Sequence, residues 1–520
     1  MEQHGLHIID YIVIVGSVIF SIGFGISFAK RQKSTNAYFA ASGSLPSWAI
    51  GMSILATLVS SITFLAYPGE GFKSNWILLV QAIMVVVVLS FLVWFVVPLY
   101  RKVIGISAYE YFEKRFGFLA RLYGSLGFSL THFSKMGTVF FLLSLALASM
   151  TGVNTYIIIW VLGAGIIILT MMGGIEAVIW LDVIQGFMLI VGGLLCAALL
   201  LFIPEGGPVA VISKALEYKK ISFAPYNFDL VNLTFFVMVL NGIFYGIQKY
   251  GTDQTIVQRY LTARNDKSAI RAALMGVLLS LPVWTLFMFI GTLLFVYYQV
   301  YPNPLPAGIK PDAVFPFFIM SELPVGVTGL VLAALIAAAI SSLDSDLNCL
   351  AAVGVDDYYK RIKPKSTDQQ QLWVGKIIVL FSGIASLFIA SIYVRVGGQG
   401  VLGIVFGLYA IFSGGIAGLF LLGLLSRRAN KEGLYVSLVV CILFTAYAIL
   451  TSTKIDSGGE QRLMLDLGGL NFTHHKYMLG VYTHLIVLGV GYVASLFFPA
   501  RTVDENLTIY GWLKKKQHEG

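Results

Sequence analysis

Charge is what this 520-residue chain has least of: Lys, Arg, Asp and Glu make up 12% of it, against 58% hydrophobic residues. A soluble chain of this length needs a charged surface over several cores, and a mean hydropathy of +0.83 excludes one. Cysteine is nearly missing. Cys196, Cys349 and Cys441 lie in apolar segments at unrelated spacings, which suggests neither a disulfide framework nor a transition-metal site and leaves packing as their role. The seven histidines are scattered, and GxxxxGK[ST] and HExxH are both absent. Phosphate-loop and zinc-protease chemistry are thereby excluded for this chain. No nucleophile–base arrangement stands out either, so no catalytic residues are expected and the chain is read as no enzyme. A net charge of +9 would suggest nucleic acid in a soluble protein; in a membrane its distribution matters more than its sum, and no nucleic-acid partner is expected.

What is present is a series of apolar runs, such as Gln81–Val97, Tyr156–Met172, Val183–Ile203 and Met478–Phe498. At about 1.5 Å per residue each can cross a hydrocarbon core of roughly 30 Å. Thirteen spans are expected: 8–28, 47–71, 77–98, 121–149, 155–172, 183–203, 231–249, 273–298, 323–352, 373–394, 401–424, 433–451 and 478–498. The first lacks a basic leader and a small-residue cleavage site, so it reads as a retained helix. With the N-terminus outside and the C-terminus in the cytoplasm, inward connections hold 25 Lys and Arg and outward ones nine. That bias sets the orientation. Span counting then gives the second to sixth spans and the seventh to eleventh opposite topologies, the plan of inverted five-helix repeats. The corresponding divisions are 1–46 (first helix and cytoplasmic linker), 47–230 (first repeat with an outer loop), 231–424 (second repeat) and 425–520 (last two spans and cytoplasmic tail). No second subunit is called for, so a monomer in the cell membrane is expected.

Polar groups at bilayer depth need a reason. In the second span, Ala56-Thr57-Leu58-Val59-Ser60-Ser61-Ile62-Thr63-Phe64 is followed by Pro68-Gly69. Hydroxyl residues and a Pro-Gly pair permit a helix break that frees carbonyls for a cation; back-bonding of the hydroxyls is the plainer alternative. The ninth span carries Ala337-Ala338-Ala339-Ile340-Ser341-Ser342-Leu343-Asp344-Ser345-Asp346. At about 100° per residue, Ala338, Ser341, Ser342 and Ser345 share one stripe, with Asp344 and Asp346 flanking it on opposite sides. Hydroxyls and carboxylates are hard oxygen ligands suited to an alkali cation. The alternative has this helix ending early, with both aspartates as wet as Asp356 and Asp357. Asp182 opens the sixth span, where capping a helix N-terminus would account for it. Lys135 stands near mid-membrane with no acid close in sequence, so it needs a partner from another helix or an anionic solute. His132 reads as a hydrogen-bonded packing residue.

With these residues the chain resembles the sodium:solute symporter family, whose members have the inverted-repeat fold of a bacterial leucine transporter with one extra N-terminal helix. The resemblance is carried by Tyr38-Phe39, Ser60–Phe64, Met172–Gln185, Gly251–Tyr260 and the ninth span. Bacterial sialic acid symporters are the most similar, and sodium/sugar symporters more distant. The resemblance implies an all-α membrane protein that couples entry of one or two Na+ to import of a small polar solute. It implies a first sodium site from the carbonyls of Ala56, Val59 and Ala338 and the hydroxyls of Ser341 and Ser342. A second would use Asp182, Ser341, Asp344 and Ser345. Asp344 stands where those relatives have serine, and it either strengthens this site or holds a proton. Solute-binding positions map onto Ser60, Thr63, Gln81 and Lys135. Lys135 replaces an arginine, Leu58 replaces a threonine, and Gln81 is shifted by one residue. A sugar acid such as sialic acid is the expected solute. A neutral sugar or a monocarboxylate is the alternative, and a sodium channel on the same scaffold a more distant one.

Overall fold

The computed structural model describes residues 6–301, 304–396, 414–457 and 460–519 of the chain. Helix α1 (Ile8–Ser27) begins with a reciprocal cap: the His7 ring accepts from the Ile9 amide, and the Asp10 carboxylate accepts from the His7 amide. Ile8, Ile12, Val15 and Ile19 on its outer face are exposed, as a helix in lipid allows. Next come α2 (Ser47–Leu58) and α3 (Ser61–Lys73), then α4 (Leu79–Val103), the short α5 (Glu110–Phe116) and α6 (Phe118–Thr151). They are followed by α7 (Thr155–Phe202), α8 (Phe235–Gly251), the short α9 (Gln254–Leu261) and α10 (Asp266–Phe295). Then come α11 (Val327–Val353), α12 (Asp368–Val396), α13 (Ile416–Leu425), α14 (Lys431–Ser452) and α15 (Lys476–Leu496), with a short helix Ile509–Glu519 after them.

Among the described residues nine helices are long and apolar enough to cross a bilayer, ten if α2 and α3 form one broken span. Helix α7 merges two of the expected spans. Its 48 residues are two helices meeting at Gly174, whose φ of +59° lies in the region that favours glycine. A Cβ there would stand 2.8 Å from Gln32 Oε1 and 2.9 Å from Tyr38. The segment 173–182, expected as a connection, is therefore a one-residue turn followed at once by helix. Asp182 is consequently mid-helix and caps nothing, which corrects the capping alternative. Helix α8, at 17 residues, falls just short of a full span. Of the expected span 401–424, residues up to 413 lie outside the described residues, and α13 covers the rest. A two-stranded antiparallel hairpin, β1 (Lys454–Ser457) with β2 (Glu460–Leu463), interrupts the all-α plan in the polar connection before α15.

Helix α11 is the centre of the protein. Every residue from Val331 to Val353 is buried, and α1, α2, α3, α6, α7 and α12 all pack against it. Its alanines let neighbouring backbones approach closely, the way membrane helices associate without a hydrophobic driving force between them. The alternative in which this helix ends before its aspartates is overturned. The helix runs past them and continues as a wider turn to Tyr359. Asp357, expected in water, is 2% exposed. It accepts from Arg121 Nε at 2.8 Å and from Ser107 Oγ at 3.0 Å, while Arg121 also pairs with Glu113 and Asp356.

Candidate ion and solute site

The break between α2 and α3 is built by backbone geometry. Val59 N still bonds to Leu55 O at 3.0 Å, but Val59 itself is extended (φ −101°, ψ 100°). The axis then bends by 56° into α3, where Phe64 N takes up Ser60 O at 3.1 Å. A helix that stops this way leaves the carbonyls of its last turn without intrahelical donors, Ala56 among them. Helix α11 packs on both halves of the broken span. On α11, Ala338, Ser341 and Ser342 are all buried, and Ser342 Oγ has no hydrogen-bond partner among the described residues. A buried hydroxyl without a partner is costly in a folded protein. It is the kind of group an ion would satisfy.

One turn along, Asp182 on α7 gathers a second cluster. Ser341 Oγ donates to its Oδ1 at 2.5 Å, and Ser53 Oγ of α2 donates to its Oδ2. The Arg259 guanidinium of α9 joins them. Its Nη2 lies 3.0 Å from Asp182 Oδ2 and 2.7 Å from Ser345 Oγ, and its Nε lies 2.7 Å from Ser53 Oγ. Neither Arg259 nor Asp182 has any side-chain exposure. Asp344, also fully buried, has a 3.5 Å contact from Ser345 Oγ to Oδ1, and its Oδ2 has no hydrogen-bond partner among the described residues. The cluster thus contains two carboxylates and one guanidinium.

The expected solute positions lie on α6, at the start of α3 and on α4. Lys135, on α6, reaches α11, where its Nζ lies 3.0 Å from Asp346 Oδ2. The partner its depth demands is therefore a residue of another helix. His132 lies one turn before Lys135 and bonds Asp346 Oδ1 at 2.8 Å, in keeping with a hydrogen-bonded packing role. Ser60 and Thr63 are buried at the start of α3. Beside them Phe64 packs on Phe287 of α10 and on Phe315 of the short helix Pro311–Glu322, with centroids 5.0 and 5.1 Å apart. Gln81 is half-buried on α4 at its contact with α8, where a Cβ on Gly242 would lie 3.0 Å from Gln81 Cα.

One residue of the site was not singled out from sequence, and another was flagged without its partner. Arg259 lies between two expected spans, in a connection counted as inward, and nothing local says that α9 packs among the membrane helices. Its only sequence signal is its place in Gly251–Tyr260. Asp346 was flagged, but its partner is 211 positions away.

The sequence profile of the sodium:solute symporter family matches residues 38–497. The chain is 33% identical over 519 residues to the sodium/sialic acid symporter NanT of Aliivibrio fischeri, covering 99% of each. It is 34% identical over 448 residues to the sodium/sialic acid symporter SiaT of Proteus mirabilis, covering 85% of this chain and 90% of that one. Among solved structures, a substrate-bound, outward-open Na+-coupled sialic acid symporter superposes with a TM-score of 0.87 at 31% identity. It covers 96% of this chain and all of the other. The nucleobase-cation symporter Mhp1 superposes at 0.53 with 16% identity, a likeness of fold alone, over 90% of this chain and 97% of that one.

Proposed function

Because the chain belongs to the sodium:solute symporter family, we propose that its sodium-coupled symport imports a sugar acid of the sialic acid class. The observation that carries this reading is Lys135. It is a cation at mid-helix in α6, and a quarter of its side chain (25%) remains exposed. An ammonium kept at that depth is a ready contact for a carboxylate. The two sialic acid symporters at 33% and 34% identity supply the class of acid. Ser60 and Thr63 are the hydroxyls assigned to the same solute, with Gln81 at the rim toward α8.

The first sodium is assigned to the carbonyls of Ala56, Val59 and Ala338 and the hydroxyls of Ser341 and Ser342. The unpartnered Ser342 Oγ supports it. A second cation is assigned to Ser341, Asp344 and Ser345. Asp182 completes that cluster but is already balanced by Arg259, so Asp344 supplies the uncompensated charge. Two sodium ions with one monoanion move one net charge inward, worth about 2.3 kcal/mol at 100 mV before either ion's own gradient is counted. The excess of Lys and Arg in the assigned inner connections supports an outer N-terminus and a cytoplasmic C-terminus. Repeats over 47–230 and 231–424 follow from the same topology.

A neutral sugar is the second reading, and one observation favours it. Lys135 is already paired with Asp346, so its charge is balanced from within the protein. Uptake of labelled sialic acid, glucose and lactate into proteoliposomes separates the readings. Sialic acid accumulating only with an inward sodium gradient is expected. Glucose accumulating while sialic acid does not would overturn the sugar-acid assignment.

A further inference from the structure

The lysine assigned to the solute is held from within the protein. Lys135 Nζ lies 3.0 Å from one Asp346 oxygen and 3.1 Å from the other. Asp346 Oδ1 is also 2.8 Å from His132 Nδ1. The far edge of that ring, Nε2, is 3.5 Å from Asp253 Oδ2, which Lys249 Nζ reaches at 2.7 Å. Two lysines and two aspartates thus balance around one imidazole. Asp346 is wholly buried, whereas Lys135 keeps its exposed quarter. One side of the ammonium is fixed on an internal carboxylate, and a quarter of the side chain stays accessible.

We propose that Asp346 is a specificity-determining residue: an internal counter-anion that occupies Lys135 in the empty protein and that an entering carboxylate must share it with. The proposal rests on the reading of Lys135 as the solute's cation. An incoming hydroxyl accepts from Lys135 without disturbing Asp346. An incoming carboxylate brings a second negative charge beside a buried one, and like charges there repel. An arginine could turn separate N–H edges to two carboxylates, whereas a lysine offers one compact charge to both. Asp346 therefore weakens the grip on bare carboxylates and shifts selectivity toward acids that also offer hydroxyls to the site. His132 sets how firmly Asp346 competes, since it is the partner that holds Asp346 when Lys135 leans toward the solute.

The test compares KM for sialic acid with KM for its C1 methyl ester, the same molecule without the charge, under a constant sodium gradient. In Asp346→Asn the ester-to-acid KM ratio rises about tenfold, because the acid no longer competes with an internal anion. In Asp346→Glu, which keeps the charge, the ratio stays near wild type. His132→Phe removes the other partner of Asp346 and moves the ratio the opposite way, downward. Sodium-dependent ester uptake in each variant reports a folded transporter, and His132→Phe carries the test if Asp346→Asn does not fold. A ratio that is unchanged or lower in Asp346→Asn, or higher in His132→Phe, overturns the proposal. If Lys135→Ala leaves the ratio at its wild-type value, the solute does not meet Lys135 and the reading beneath the proposal fails instead.

Discussion

Arg259 Nη2 lies 3.0 Å from Asp182 Oδ2 with neither side chain exposed, so α9 is joined to α7 by an ion pair shielded from water and lipid alike. The same guanidinium bonds Ser53 of α2 and Ser345 of α11, and one residue closes four helices around the assigned ion site.

Removing one partner of this pair strands the other as a bare buried charge. Arg259→Met is expected to cost about 3–5 kcal/mol of stability, and Asp182→Leu with Arg259→Met together considerably less than the two single changes added. Thermal unfolding in detergent measures both. Additive losses would mean that the pair is not coupled.

Ser342→Ala separates ion binding from folding. Ser342 Oγ has no hydrogen-bond partner among the described residues, so its removal leaves sodium-free stability within about 0.5 kcal/mol. The loss of an oxygen ligand raises the half-saturating sodium concentration about tenfold, equivalent to about 1.4 kcal/mol. Sodium titration of uptake and unfolding in sodium-free buffer check the two halves. A large stability loss with unchanged sodium dependence would make Ser342 a packing residue.

Asp344 decides the number of ions. Its carboxylate is fully buried and its Oδ2 has no hydrogen-bond partner among the described residues, while Asp182 is balanced by Arg259. Asp344→Asn is expected to lower the charge moved per solute by one. Current measured against labelled solute on the same proteoliposomes reads that ratio. An unchanged ratio would remove Asp344 from the ion path.

Lys135→Ala acts on solute and scaffold together. It abolishes the preference for an acid over its ester and leaves Asp346 held by His132 alone, with a stability loss of about 3 kcal/mol, the low end for a broken buried pair. Adding Asp346→Asn restores stability without restoring the preference. Acid affinity at wild-type level in Lys135→Ala would contradict the solute assignment.

Much of this was legible in the sequence because hydropathy and helical period carry it. The membrane helices follow from apolar runs, and the stripe of Ala338, Ser341, Ser342 and Ser345 follows from spacing on one helix. The hydroxyl residues and Pro68-Gly69 permitted a break in this span without placing it; it falls at Val59, and Pro68 lies within α3. What was not legible depends on pairing across long separations. Nothing near Arg259 shows that it meets Asp182, 77 positions earlier, and an arginine beside a membrane span is ordinarily read as wet. Lys135 announced a missing partner by its depth, but Asp346 could be chosen only once α6 and α11 were packed. Gly173-Gly174 looked like the start of a loop because two glycines in sequence do not distinguish a one-residue turn from a longer connection.

The most direct test of sodium-coupled symport through the α2–α3 break and α11 is entry of labelled sodium into proteoliposomes with and without sialic acid, in wild type and Ser342→Ala. The account predicts sodium entry that requires the solute, in a fixed ratio to it, and that falls in Ser342→Ala at low sodium concentration. Sodium entry that proceeds equally well without any solute would make the protein a channel and contradict the account.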